Sequence, residues 1–136
     1  MSKKQTPDRL YIRKRYEAEF DELRDKLSVD AKNVFLMAMA LGFLHEDKER
    51  LDSKKEVVLA QVIKEEEPLM ATIAVYDVEN LNVVLDKATI YSIAEEYASG
   101  GLKYLKDDVL RETFGSYIKR LEDQLVTHYK KLKIID

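Results

Sequence analysis

The chain has 136 residues, 46% apolar and 36% charged, with a net charge of −3 at pH 7. The absence of cysteine excludes disulfides, thiolate metal sites and a cysteine nucleophile, and four glycines and two prolines are too few for the turns of a sheet sandwich. These values predict a single ordered domain over residues 1–136.

The charge is uneven. Lys3, Lys4, Arg9, Arg13, Lys14 and Arg15 stand against one acid, Asp8, so residues 1–15 carry +5 and the rest of the chain −8. Residues 1–9, with Pro7 as a breaker, read as a flexible basic arm. Such an arm can touch phosphate, here through Lys3, Lys4, Arg9, Arg13, Lys14 and Arg15. It can also lie on the acidic face of a partner or of its own body, or stay solvated. No apolar stretch follows the basic start, so no secretory signal is expected and the cytoplasm is the predicted compartment.

From Ile12 the apolar positions step through Tyr16, Phe20, Leu23 and Leu27. That spacing predicts a helix over 13–27. Ser28-Val29-Asp30 is short enough to suggest an antiparallel neighbour. The next stretch, 30–41, is the hub: Val34 to Leu41 runs without a polar break, and a helix apolar on all sides belongs in the middle of a fold. It is too short for the roughly 20 residues of a membrane span, and no membrane partner is expected. Asp30 suits its N-cap and Gly42 a left-handed stop.

His45 to Lys55 is polar without a period and reads as surface loop. Glu56 to Lys64 mixes strand formers with helix formers, which leaves strand, near 57–63, and extended connector both open. A strand there would need a partner, and Leu10-Tyr11-Ile12 is the other short candidate. Pro68 after three glutamates opens a helix over 68–79. Asp86 caps a helix over 87–98, and Ser99-Gly100-Gly101 predicts its stop. A stripe through Leu110, Phe114, Tyr117, Ile118, Leu121, Leu125, Tyr129 and Leu132 predicts a long last helix over 108–132, capped by Asp107 or Asp108. Gly115 within it suggests a kink or a close crossing. An exposed part of this stripe would suit a homo-oligomer. The fold class is thus all-α: about five helices around the central apolar one.

The chemistry-bearing residues are sparse. His45 and His128 are far apart in sequence, and neither has a metal-type partner one helical turn away, so no metal or other cofactor is expected. His128, in the last turns of its helix, would meet the dipole end. Glu95 and Glu96 point about 100° apart on a helix and do not form a catalytic pair. Gly100-Gly101 lacks the rest of a phosphate loop. Gln61-Val62-Ile63-Lys64 is one residue too long for a nuclease triplet, and no serine sits in a nucleophile elbow. No catalytic residue is therefore assigned, although a small hydrolase with carboxylates Asp77, Glu95 and Glu96 ranks as a third reading. A second basic patch comprises Lys119, Arg120, Lys130, Lys131 and Lys133. Eight tyrosines are mostly core-facing; Tyr91, off the face, is expected to contact a partner together with Glu95 and Glu96.

Two stretches carry a resemblance. Asn33-Val34-Phe35-Leu36-Met37-Ala38-Met39-Ala40-Leu41-Gly42-Phe43 is an apolar helix closing on a Leu-Gly-aromatic end. Ile93 to Leu105 carries an acidic-aromatic helix ending in a small residue and two glycines, Ser99-Gly100-Gly101. Together, over about residues 10–110, they resemble the small accessory proteins encoded beside dnd-type DNA phosphorothioation defence genes. The resemblance implies a prokaryotic defence protein and supplies no catalytic residues. The leading expectation is a non-catalytic adaptor docked on a larger protein of the defence complex. The alternative is a double-stranded-DNA backbone binder using the basic arm.

Overall fold

The structure, a computed structural model, describes residues 7–109 and 114–134, with side chains described for 119–131 of the last helix. In chain order the elements are β1 (Arg9–Arg13), α1 (Glu17–Leu27), α2 (Ala31–Leu44), β2 (Lys54–Leu59), α3 (Glu67–Val78), α4 (Lys87–Val109) and α5 (Phe114–Ile134). Short 3-10 turns lie at Lys14–Tyr16, Ala60–Val62, Lys64–Glu66 and Leu81–Leu85. The fold is mostly helical, and the described residues also hold a small antiparallel sheet, β1 against β2. No single helix among them is long and apolar enough to cross a membrane.

The open choice at 56–64 resolves as a strand only as far as Leu59: β2 starts earlier, at Lys54, inside the predicted loop, and Ala60–Val62 turns as a 3-10 helix; the partner of β2 is the Leu10-Tyr11-Ile12 stretch. Leu10 faces Val58 and Ile12 faces Lys55, with a bulge between Leu10 and Tyr11 that skips Val57. Leu10 and Ile12 point inward and are fully buried, as the two-residue period of a strand requires. The helix predicted from residue 13 therefore starts later: Ile12 belongs to the strand, a 3-10 turn follows, and α1 begins at Glu17. Phe20, Leu23 and Leu27 form its buried face. Ser28 ends it in a left-handed conformation, φ 54°. The chain then bends by 109° into α2, closer to a right angle than to the antiparallel pair expected. The Asp30 carboxylate accepts from the Asn33 N–H at 3.2 Å, the predicted cap.

α2 buries Val34, Phe35, Ala38, Met39 and Leu41 almost completely. It is not one hub wrapped by four helices, however. Its chief neighbour is α4, and α4 in turn takes contacts from α1, α3, α5 and β1. The centre of the fold is this α2–α4 pair. Glycines set its geometry. A Cβ on Gly101 would overlap the Ala38 carbonyl of α2, and a Cβ on Gly42 would overlap the Tyr97 carbonyl of α4. Two backbones approach this closely only where both side chains are missing. Gly42 and Gly101 are thus not helix stops: α2 continues to Leu44, and α4 runs 23 residues to Val109.

Pro68 lies in the first turn of α3, and Asp86 caps α4 by accepting from the Thr89 N–H at 3.1 Å, both as predicted. Asp107 and Asp108 fall inside α4, which corrects their expected role as caps of the last helix. Leu110 lies outside the described residues, as do the side chains of Phe114, Tyr117, Ile118 and Leu132 and any effect of Gly115. Of the remaining stripe, Leu121 is buried and Leu125 half-buried, while Tyr129 is exposed.

Candidate functional site

Three charged networks surround α4, each on its own side. The first faces β1. Glu95 and Ser99, one turn apart, both point at the strand. The Tyr11 N–H donates to Glu95 Oε2 at 2.9 Å, and the Arg13 N–H donates to Ser99 Oγ at 3.1 Å. A two-stranded sheet leaves backbone donors in need of partners, and these two side chains supply them. Glu95 is 7% exposed. Burial pushes its carboxyl up to about 7, against the Tyr11 hydrogen bond and the charge of Lys54.

The second network is the polar segment after α2, which is not a loose loop. The Asp47 N–H donates to the Gly42 carbonyl at 2.8 Å, and the Glu49 N–H donates to the Glu96 carbonyl at 3.0 Å. The segment thereby lies across α4, where the Asp47 carbonyl packs on Gly100. Asp47 Oδ2 accepts from Tyr104 at 2.8 Å and pairs with Lys103 at 2.7 Å. Although burial would raise it, these two donors hold the Asp47 carboxyl below its ordinary range. Glu49 Oε1 accepts from Tyr16 at 2.6 Å and from Arg13 at 2.7 Å.

The third network lies where α4 meets α3. The Tyr97 hydroxyl donates to Asp77 Oδ1, and Lys48 Nζ pairs with Asp77 Oδ2 at 2.9 Å. Burial and the Asp77 carboxylate push the Tyr97 hydroxyl well above its ordinary range. Beside it opens a cleft of about 590 Å³ with Phe43, Tyr76 and Glu79 in its wall. Tyr97→Phe is expected to cost about 1–3 kcal/mol, because it strands a mostly buried carboxylate oxygen. Urea unfolding measures this, and an unchanged midpoint would refute it.

The sequence-chosen residues separate in space. Glu95 faces β1, whereas Tyr97, about 200° further round the helix, carries Asp77. Asp77 and Glu95 therefore share no site, and both oxygens of Asp77 are engaged by Tyr97 and Lys48. The carboxylate set proposed for a hydrolase is not assembled. Tyr91, expected to project outward, is 3% exposed, and its hydroxyl donates to Glu67 at 2.6 Å. α3 covers the side of α4 that periodicity alone left open. Of the expected partner contacts, only Glu96 keeps appreciable exposure.

The basic residues divide similarly. Arg13 lies on its own body, paired with Glu49 at 2.7 Å and Asp52 at 3.2 Å, and Arg9 pairs with Glu56 at 2.6 Å. Both pairings are with acids of the chain's own body, one of the placements the uneven charge left open for these residues. Lys14 and Arg15 are exposed; Lys3 and Lys4 lie outside the described residues. His128 meets Phe43 edge-on at 5.0 Å, so an aromatic neighbour occupies the ring assigned to the helix dipole. Sequence spacing also missed that both histidines line one cleft between the end of α2 and α5. Among the described residues no group of three or more His, Asp or Glu is placed to hold a metal ion.

No curated protein and no solved structure matches the chain. One family model does, that of the DNA sulphur modification system-associated protein 4, over residues 18–133. The match begins after β1 and runs through α5, further than the resemblance over 10–110 extended. It covers most of the α2–α4 core and the networks around it, and the chain belongs to this family of proteins associated with DNA sulphur modification systems.

Proposed function

We propose that the chain is a non-catalytic accessory protein of a prokaryotic, phosphorothioation-linked defence system. It works in the cytoplasm by docking on a larger protein of that system. Family membership supports the setting. The observation that carries the docking is an apolar ridge on the turn between α3 and α4, where Leu81 is 72% and Leu85 84% exposed and Val78 and Val84 stand alongside. Isolated exposed leucines are ordinary, but three exposed apolar side chains on one short connection, with Val78 exposed at the end of α3 just before it, are the kind of surface that partners cover. Glu79 and Lys87, both exposed, give the ridge a polar rim.

The test is co-purification from the native host with wild type and with Leu81→Glu/Leu85→Glu. The wild type should co-elute in fixed stoichiometry with a product of the neighbouring defence genes. The double variant should lose it at least tenfold while melting at the same temperature, since neither side chain supports the core. Equal recovery of that product by both proteins would overturn the ridge as the docking surface. A second reading, direct contact with a DNA backbone through the N-terminal region, has the exposure of Lys14 and Arg15 in its favour.

A further inference from the structure

The cleft that unites the two histidines has a wall that the docking reading does not use. Its volume is about 400 Å³. Arg120, Gln124, Thr127 and Lys131 of α5 line it, at spacings of four, three and four. At 100° per residue these positions fall within about 60° of one another, on one face of the helix. The stripe extends about 16 Å along the axis and consists of hydrogen-bond donors from end to end. His45 stands opposite, at the end of α2, with its ring stacked on Tyr104 at 3.9 Å. Asp123 is the single carboxylate in the wall. Asp108 pairs with Arg120 at 2.9 Å and so fixes where the guanidinium sits.

Arg, Lys, Gln and Thr are the side chains that position proteins on phosphate oxygens. His128 also lines the cleft, but its ring packs edge-on against Phe43 and Tyr76 and its Nε2 is shielded from water, so it backs the stripe and adds no contact to it. The stripe is longer than one phosphate ion. We propose that this cleft seats consecutive phosphates of a duplex DNA backbone, with Arg120 and Lys131 as the two cationic contacts and Gln124 and Thr127 between them. The basic patch noted in the sequence thus divides: Arg120 and Lys131 turn into the cleft, while Lys119 and Lys130 lie about 100° away on α5. The surface is sequence-blind, and the net charge of −3 keeps the interaction weak and local. This inference is independent of the apolar ridge and stands or falls separately from it.

The experiment is fluorescence anisotropy of the full chain with a labelled 20-base-pair duplex at 50 and 200 mM salt. Two phosphate contacts give a slope of about −1.8 in log affinity against log salt, so affinity should fall about tenfold between these conditions. Lys131→Glu and Thr127→Glu, both exposed positions whose folding is checked by circular dichroism, should each weaken binding about tenfold. Lys131→Glu should also remove about half of the salt slope. Lys14→Glu/Arg15→Glu should bind as the wild type does. Three outcomes overturn the proposal: no duplex binding at 50 mM salt, binding unaffected by either α5 variant, or displacement of DNA by inorganic phosphate at equal phosphate concentration. The last would make the cleft a site for the free ion.

Discussion

Gly101→Ala is expected to destabilise the protein by about 3 kcal/mol or more, and Gly101→Leu to leave no cooperative unfolding transition. At an ordinary helix position the same glycine-to-alanine change would stabilise by about 1 kcal/mol, so the sign itself is diagnostic. An added Cβ meets the Ala38 carbonyl and the Gly42 backbone nitrogen of α2. Overpacked side chains usually relieve themselves by rotation at a cost of about 1–3 kcal/mol, but a helix backbone has no rotamer to change. α2 must move away as a unit, and Phe35, Met39 and Leu41, all buried in the same core, lose contact with their neighbours. Urea unfolding of the two variants is the measurement. A Gly101→Ala protein as stable as the wild type would mean that the helices do not cross at this point.

The same glycine shows where sequence reasoning stopped. Ser99-Gly100-Gly101 carries the local chemistry of a helix end, and nothing within a few residues distinguishes an end from a crossing. That distinction lies in Ala38 and Asp47, more than fifty residues earlier. Features decided locally were legible: the Asp30 and Asp86 caps, Pro68 in the first turn of α3, and the burial of the 34–41 run. The β1–β2 pair was half legible, because β-forming residues mark candidate strands whereas pairing across more than forty residues does not show in either one. Periodicity names the apolar face of a helix and not how many neighbours cover it. α4 is flanked by α1, α2, α3, α5 and β1, so Tyr91 and Glu95 were swallowed although they lie off the predicted stripe. The candidate phosphate cleft was hidden for a related reason: His45 and His128 are 83 positions apart, and only the packing of α5 near the end of α2 brings them together.

Glu95 should make stability fall as pH rises through the weakly acidic range, the reverse of the usual behaviour of a paired carboxylate. Below pH 4.5, the ordinary value of this group, the carboxyl is protonated in both the folded and the unfolded chain and contributes no pH dependence. Between there and about 7, its value in the fold, the unfolded chain releases the proton and the folded chain keeps it. The folded state then binds more protons, so each pH unit lowers the unfolding free energy, and the loss accumulates to about 3 kcal/mol by pH 7. Above pH 7 both states are ionised and the dependence ends. Asp47, whose carboxyl is held below its ordinary range by Lys103 and Tyr104, contributes in the opposite direction, and only at lower pH, where its protonation withdraws stability. Glu95→Gln isolates the effect: the amide has no proton to release, yet its oxygen can still accept from the Tyr11 N–H. Urea unfolding of both proteins from pH 4 to pH 9 should show the variant gaining about 3 kcal/mol on the wild type between pH 4.5 and 7, with a constant difference on either side. Glu96→Gln, on the neighbouring and more exposed residue, should keep most of the wild-type slope. A stability difference between Glu95→Gln and wild type that does not change with pH would place Glu95 in water, and β1 would then have to find another acceptor for the Tyr11 N–H.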